Sequence, residues 1–328
     1  MLTRDKSAFE AMFSLGSCTR STDALAELHA DPGPVEGQSD ERPIHVQGDT
    51  AEEFASLLWA LYALPHEIKI AMSIPANETH FINLTRMAHK YQFRTTELWA
   101  LTTLIHFHAT ASPNSLVSVE NLVRITELST LCDSKELLDA ATAQWKKLLI
   151  GGKALAAAIN VAEQLDLRSL LGLAYYYMML KGRDYWDADA QLTARQRIRL
   201  LSGHYNLVRA SEDLPDSPPQ INHDLQCMGK GQCKAAFAAL WKFILTSNGG
   251  EPGLSGQVLP RMQSCDLIGK LMLGESILQT MIEGSIPPVD LSEWGWMHKK
   301  CKQNALAAMK DKVKDTQTRL ADWFSDVV

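Results

Sequence analysis

The sequence predicts a mainly α protein with a small α+β part at its N-terminus. Apolar residues recur at helical spacing along most of the 328 residues, and one short stretch at 42–47 alternates with the period of a strand. A helix–turn–helix pattern also recurs at intervals of 38 and 36 residues. A chain of this length can bury two ordinary cores, so two domains is the starting expectation.

The predicted strand and the helix after it occupy 42–62, RPIHVQGDTAEEFASLLWALY. Ile44 and Val46 lie on one face of the strand because side chains alternate along it. Thr50 then offers an N-cap oxygen, and Glu53 stands at the spacing of a capping box. The apolar residues that follow predict one core-facing stripe, formed by Phe54, Leu57, Leu58, Leu61 and Tyr62.

Two flanking segments complete a recognisable order. Upstream, a helix predicted over 4–15 contains Ser7-Ala-Phe9-Glu-Ala-Met12-Phe13, and downstream 84–93 reads LTRMAHKYQF. The three segments resemble, in sequence order, the BTB (POZ) domain of fungal proteins. The family combines an S-x-F-x-x-M-F helix, a strand leading into an F-x-x-L-L-x-x-x-Y helix, and an A-x-K-Y helix and turn. The resemblance covers about the first third of the chain.

The resemblance implies a non-catalytic protein–protein interaction domain at 1–110, often a substrate adaptor for cullin-type ubiquitin ligases. In the family a β-hairpin precedes the first of these helices, whereas only six residues precede Ser7. We therefore expect a truncated BTB/POZ core that lacks its first hairpin. Because that hairpin contributes to the family's dimer seam, we expect a monomeric or poorly soluble chain rather than a homodimer. The expected protein-binding surface comprises Phe54, Leu58, Tyr62, Tyr91 and Phe93.

The recurring pattern predicts an all-helical tail of helix pairs after the BTB-like part. A single helix pair cannot bury its apolar face alone, so such pairs stack against one another. In BTB proteins this tail is a BACK-like segment, which we expect at 111–214. The three copies of the turn are 88–93, 126–131 and 162–167, followed by helices predicted over 96–108, 134–149 and 168–180.

The strongest breaker in the chain, Leu214-Pro-Asp-Ser-Pro-Pro219, predicts a boundary before a C-terminal helical segment at 220–328. A helix is predicted over 192–209 before the breaker. After it we expect a helix over 232–246, two short helices ending near 283, and a final helix over 292–324.

One constellation in the C-terminal segment is suited to a metal ion: Cys227, Cys233, His298 and Cys301. Zinc binds four thiolate or imidazole ligands in a tetrahedron, usually supplied as two close pairs. The resemblance adds that fungal BTB tails carry paired cysteines in two similar places. Spaced Cys/His sets often bind nothing, so the sequence favours ordinary buried thiols with a surface histidine, and a zinc site is the alternative.

Other function classes lack their signatures. The formal charge of −6 makes a dedicated nucleic-acid binder unlikely on charge, and no apolar run approaches the length that spans a bilayer. The polar, charged N-terminus predicts no secretory signal, and six cysteines suit reduced thiols, so we expect an intracellular protein, cytoplasmic or nuclear. No phosphate loop, G-x-S-x-G or H-E-x-x-H motif occurs, and no catalytic residue is assigned.

The alternative function is a transcription or chromatin regulator that uses a zinc-binding or basic C-terminal segment. The last predicted helix is locally basic, with Lys299, Lys300, Lys302, Lys310, Lys312, Lys314 and Arg319. Aspartates interleave with these cations, so a solvated and salt-bridged helix face is the favoured interpretation.

Overall fold

The structure, a computed structural model, describes residues 2, 6–15, 43, 46–73, 78–110, 118–246, 262–284 and 297–325, without the side chains of 12–15 and 110. The predicted mainly α class is confirmed, and no strand occurs among these residues. Ile44 and His45 of the predicted strand lie outside the described residues, and Val46 belongs to no strand. The chain divides into two compact units, residues 1–145 (unit 1) and 146–328 (unit 2).

Unit 1 is arranged around its fourth helix. This helix packs against the second, fifth and sixth helices and buries seven of its residues. The segment at 66–77, predicted to be irregular, is helical up to Ser73, because Pro65 at a first helical position suits a helix start. The helices are α1 (Ala8–Leu15), α2 (Ala51–Tyr62), α3 (Pro65–Ser73), α4 (Glu78–Lys90), α5 (Arg94–Thr110), α6 (Val119–Leu131) and α7 (Lys135–Ile150), and the unit boundary falls inside α7.

The capping box predicted at the start of α2 is present. Thr50 Oγ1 accepts from the Glu53 amide at 3.2 Å, and the Thr50 amide donates to Glu53 Oε2 at 3.1 Å. The apolar stripe of α2 is rotated from its predicted position, since Leu57 is fully buried whereas Tyr62 is 64% exposed. The cause is the inward-facing Glu53 carboxylate, which lies 2.8 Å from the Arg86 guanidinium.

Unit 2 is arranged around its second helix. That helix packs against five others of the unit and buries Tyr175, whose ring stacks on Phe324 with centroids 5.3 Å apart. A Cβ at Gly172 would lie 2.5 Å from the Ala321 amide nitrogen, so only glycine allows this approach. The helices are α8 (Leu155–Gln164), α9 (Arg168–Leu180), α10 (Arg183–Ala188), α11 (Ala194–Asp213), α12 (Lys230–Thr246), α13 (Leu267–Ile282), α14 (Lys299–Thr318) and α15 (Leu320–Trp323), with a 3-10 turn at Leu214–Asp216.

The C-terminal third differs from prediction in three places. Helix α11 passes its predicted end at 209 and continues as the 3-10 turn at Leu214–Asp216, where Trp241 Nε1 donates to the Leu214 carbonyl at 2.7 Å. A single helix, α13, occupies the part of the two-helix prediction that is described. The predicted final helix is interrupted at Arg319, and its residues before Met297 lie outside the described part of the chain.

The recurrent turn is present in all three helix pairs. In each, one residue takes a left-handed conformation and the next residue's amide bonds back to the carbonyl five residues earlier, the geometry of a Schellman motif. The middle turn lies three residues later than predicted. The left-handed residues are Gln92 (φ 62°), Asp133 (φ 49°) and Asp166 (φ 52°), and the backbone bonds are Phe93–Ala88 (2.8 Å), Ser134–Ser129 (2.9 Å) and Leu167–Ala162 (2.9 Å).

No helix among the described residues combines the length and the apolar character needed to cross a bilayer.

Replacing Gln92 with glycine is expected to stabilise unit 1 by about 0.5–1 kcal/mol. The reason is that the steric cost of a left-handed non-glycine residue is larger than the entropic cost of ordering a glycine. The control is Ala143→Gly at an exposed position in α7, where glycine costs about 1 kcal/mol. Urea denaturation measures both. Equal destabilisation by the two glycines would contradict the assigned turn geometry.

Candidate functional site

The three segments that carry the family resemblance meet in unit 1. The Phe9 ring of α1 stacks on Tyr91 with centroids 4.6 Å apart, and Phe54 of α2 meets Tyr91 edge-on at 6.1 Å. Tyr91 is 6% exposed and Phe93 is 1% exposed. The turn at Gln92 directs both rings into the core, so the expectation that they form part of a binding surface is corrected.

The other predicted surface residues remain on α2. Phe54 and Leu58 are half-buried, and Tyr62 is exposed. Burial alone therefore leaves Tyr62 as the most accessible of the five side chains expected to bind a partner.

A buried carboxylate links the residues before α2 to the end of α4. The Asp49 side chain is 2% exposed and accepts hydrogen bonds from Lys90 Nζ at 2.6 Å and from the Tyr91 hydroxyl. Burial acts to raise the pKa of Asp49, but these two bonds and the Lys90 charge outweigh it, so the pKa lies below its usual value. Burial, followed by Asp49 itself, raises the pKa of Tyr91, which stays a neutral donor.

Unit 1 carries a set of exposed large apolar side chains on α2, α3 and α5 and the link between α2 and α3. We call this set the α3 surface. Next to it Trp99 Nε1 donates to Met72 Sδ at 3.4 Å, and the Trp59 and Trp99 rings stack at 6.4 Å. The exposed members and their exposed fractions are Tyr62 (64%), Leu64 (56%), Ile70 (56%), Met72 (39%) and Leu98 (67%).

Three of the four predicted metal ligands come together in unit 2, with a different histidine. Cys227, Cys233 and Cys301 meet His223, and the four ligand atoms all lie within 4.8 Å of one another. Cys227 Sγ is 3.6 Å from Cys233 Sγ, and Cys301 Sγ is 3.7 Å from His223 Nδ1. The three cysteines are buried, with Cys301 0% exposed, and His223 is partly exposed. Among the described residues of unit 2, these four side chains form the one group of His, Cys, Asp or Glu close enough together to share a metal ion.

The predicted ligand His298 has another position. It is the N-cap of α14, and its Nδ1 lies 3.8 Å from Asp224 Oδ2. Its backbone amide hydrogen-bonds to the Cys233 sulfur. Burial is the main cause that raises the pKa of Cys233 to about 11, and the adjacent Cys227 and Cys301 thiols add to it against that amide. The available sequence signal for the correct histidine was His223-x3-Cys227, a closer pair than any that includes Cys233.

A second cluster in unit 1 has the residue types of a nucleophilic site but the wrong electrostatics. His89, Glu97 and Cys132 place their ligand atoms within 4.8 Å, and His89 Nδ1 is 2.9 Å from Glu97 Oε1. Burial and then the Glu97 carboxylate raise the pKa of Cys132 to about 12. A nucleophilic cysteine requires a lowered pKa, so Cys132 is a poor nucleophile.

The basic residues of α14 are tied to acidic neighbours at several positions. Lys300 Nζ lies 3.3 Å from Asp224 Oδ2, and Lys310 Nζ lies 4.0 Å from Glu275 Oε1. Arg319 Nε lies 3.7 Å from Asp322 Oδ2 just after the end of α14. These contacts agree with a salt-bridged helix face.

No family model matches this chain, and no curated protein or solved structure matches it either.

Replacing Asp49 with asparagine is expected to destabilise unit 1 by about 1–2 kcal/mol at pH 7, because it weakens two hydrogen bonds to a buried charge. The pKa of Asp49 is lower in the folded than in the unfolded chain, so its contribution is complete above the unfolded value of 3.8 and is lost as the pH falls through the folded value. The variant should therefore lose less stability than the wild type as the pH falls below about 4. Urea denaturation at several pH values measures this difference.

The matched control is Asp139→Asn, at an exposed position in α7 of the same unit. It should leave both the stability at pH 7 and its pH dependence near those of the wild type. An identical effect of the two substitutions would remove the role assigned to Asp49.

Proposed function

We propose that this chain is a non-catalytic protein–protein interaction protein that binds a partner through the α3 surface of unit 1. The observation that carries the proposal is the set of large apolar side chains exposed on α2, α3 and α5, where Met72 of α3 contacts Trp99 of α5. A concentration of apolar side chains on a surface is typical of a binding site, whereas scattered single residues are not. Desolvating such side chains, aromatic ones above all, supplies much of the binding energy in protein interfaces.

The contacts between the three resemblance segments support a BTB-type unit as the carrier of this surface. Asp49 before α2 accepts from Lys90 and Tyr91 at the end of α4, and Phe9 of α1 packs on Tyr91. The segments whose order resembles the family are thus also neighbours in space. On this proposal the partner is a cullin-type scaffold, and the chain is a substrate adaptor of a ubiquitin ligase in the cytoplasm or nucleus.

The electrostatics of the titratable clusters support a non-catalytic role. Cys132 has a raised pKa beside Glu97, and Asp49 is an ionised carboxylate held by two donors inside the unit. Neither group has the pKa near neutrality that general acid–base or nucleophilic chemistry uses.

A second candidate, a transcription or chromatin regulator that uses unit 2, is favoured by the convergence of three cysteines and one histidine. The salt-bridged lysines of α14 weigh against a nucleic-acid surface there. Retention on immobilised DNA that falls steeply with added salt would favour this second candidate over the adaptor.

Retention of the full chain by an immobilised cullin scaffold tests the first proposal. The double variant Tyr62→Ser/Leu98→Ser is expected to lower retention by at least about tenfold, since two desolvated apolar contacts contribute more than 1.4 kcal/mol. The control, Ile198→Ser/Tyr205→Ser, removes two similarly exposed side chains of α11 in unit 2, which are 60% and 64% exposed. It should bind like the wild type.

Thermal denaturation of both variants checks that folding is intact. A wild-type chain that the scaffold does not retain would contradict the cullin assignment, and equal losses in the two variants would contradict the α3 surface as the binding site.

A further inference from the structure

We propose that His223, Cys227, Cys233 and Cys301 bind one Zn²⁺ ion at a closed structural site in unit 2. This inference concerns unit 2 alone and does not depend on the proposed role of the α3 surface.

The spacing between the ligand atoms fits a tetrahedron around zinc. With Zn–S near 2.3 Å and Zn–N near 2.0 Å, two sulfurs of a tetrahedral site lie about 3.8 Å apart, and a sulfur and a nitrogen about 3.5 Å apart. The observed distances are 3.6 Å between the Cys227 and Cys233 sulfurs and 3.7 Å between the Cys301 sulfur and His223 Nδ1. All pairs lie within 4.8 Å, so small side-chain rotations bring the four atoms to one ion.

The four ligands come from three separate segments of unit 2. His223 and Cys227 lie in the stretch between the 3-10 turn and α12, Cys233 is in the first turn of α12, and Cys301 is in the first turn of α14. Backbone bonds shape the stretch around the cysteines, from the Cys227 amide to the Asp224 carbonyl at 3.0 Å and from the Cys233 amide to the Gly229 carbonyl at 2.9 Å. A residue far along the chain, Asn304, also donates to the Asn222 carbonyl.

If Cys227, Cys233 and Cys301 were ordinary buried thiols, their convergence on His223 would have no explanation. Cys265 shows what such a thiol looks like in the same unit: it is 1% exposed, and its sulfur donates to Gln263 Oε1 at 3.5 Å. Three thiols that merely fill space have no need of an imidazole nitrogen against them. A disulfide is also excluded as the state seen here, since bonded sulfurs lie about 2.05 Å apart.

The donor set selects the metal and the kind of site. Three thiolates and one imidazole are soft ligands that suit Zn²⁺, whereas Mg²⁺ and Ca²⁺ take oxygen ligands. Four protein ligands complete a tetrahedron and leave no position for substrate, so the site is structural. The His298 amide that hydrogen-bonds to the Cys233 sulfur, and the N-terminus of the α14 helix beside Cys301, both favour negative charge on sulfur.

Zinc content of the full chain tests the site. Protein expressed with added zinc and then dialysed is expected to hold one zinc ion per chain by elemental analysis. Cys233→Ser should lower this content, and His223→Ala, which keeps three thiolates, should lose its zinc to a chelator concentration that the wild type withstands.

Two controls separate the site from its surroundings. His298→Ala removes the histidine that belongs to the neighbouring N-cap, and Cys265→Ala removes a buried thiol away from the cluster; both should retain zinc like the wild type. Replacing zinc with Co²⁺ adds a second readout, because tetrahedral thiolate coordination gives intense visible absorption that a surface-bound ion lacks.

The proposal is overturned by a wild-type chain that is folded and free of zinc after metal-replete purification. It is equally overturned if His298→Ala releases zinc while His223→Ala retains it. Should Cys233→Ser fail to fold, the comparison of the two histidine variants still decides, since neither histidine is buried in the core.

Discussion

His223, Cys227, Cys233 and Cys301 converge in unit 2, and the zinc ion that we propose there would constrain the C-terminal part of the unit. The stretch from Ser217 to Gly229 contains no helix or strand, so few backbone hydrogen bonds of its own hold it in place. A domain is stable by only about 5–15 kcal/mol, and a structural zinc ion contributes about 10–16 kcal/mol in small zinc domains. A bound ion would therefore decide whether α12 and α14 start at the positions seen here.

In unit 1, charged hydrogen bonds have the helix-positioning role that we propose for a zinc ion in unit 2. Asp49 and Glu53 are both nearly inaccessible, and each faces a cation, Lys90 or Arg86. The partners lie on α4, the helix against which α2 packs. Since a buried carboxylate without its donors is costly, these contacts fix the position of α2 relative to α4. Tyr62 of the α3 surface lies at the end of the α2 helix that these contacts position.

Local signals in the sequence predicted much of the fold. The capping box of α2 and the bounds of α9 followed from residue types a few positions apart, and short-range rules suffice for such features. Tyr91 and Phe93 were misplaced because their burial depends on α1, which is far away in sequence. The apolar stripe of α2 was also misplaced, because Glu53 faces inward to a residue distant in sequence, Arg86 of α4. The middle Schellman turn was predicted three residues too early, because the three copies share their backbone geometry more closely than their sequences.

Some of the candidate metal ligands could be predicted from spacing in the sequence, whereas others depend on contacts between distant segments. Cysteines are few, so their candidacy could be predicted from counts and spacing. Spacing alone did not decide the histidine, because His223-x3-Cys227 and His298-x2-Cys301 are both close pairs and the choice depends on how the stretch before α12 meets α14. His298 lies three residues before Cys301 in the sequence, yet it is the N-cap of α14 and lies near Asp224. The chain thus joins a surface suited to protein binding in one unit to a candidate zinc centre in the other.

X-ray absorption at the zinc edge of the purified full chain tests the central claim most directly, because it reports the atoms bound to the metal. The account predicts three sulfur neighbours at about 2.3 Å and one nitrogen neighbour at about 2.0 Å. A coordination shell dominated by oxygen, or one with two or fewer sulfurs, would contradict it.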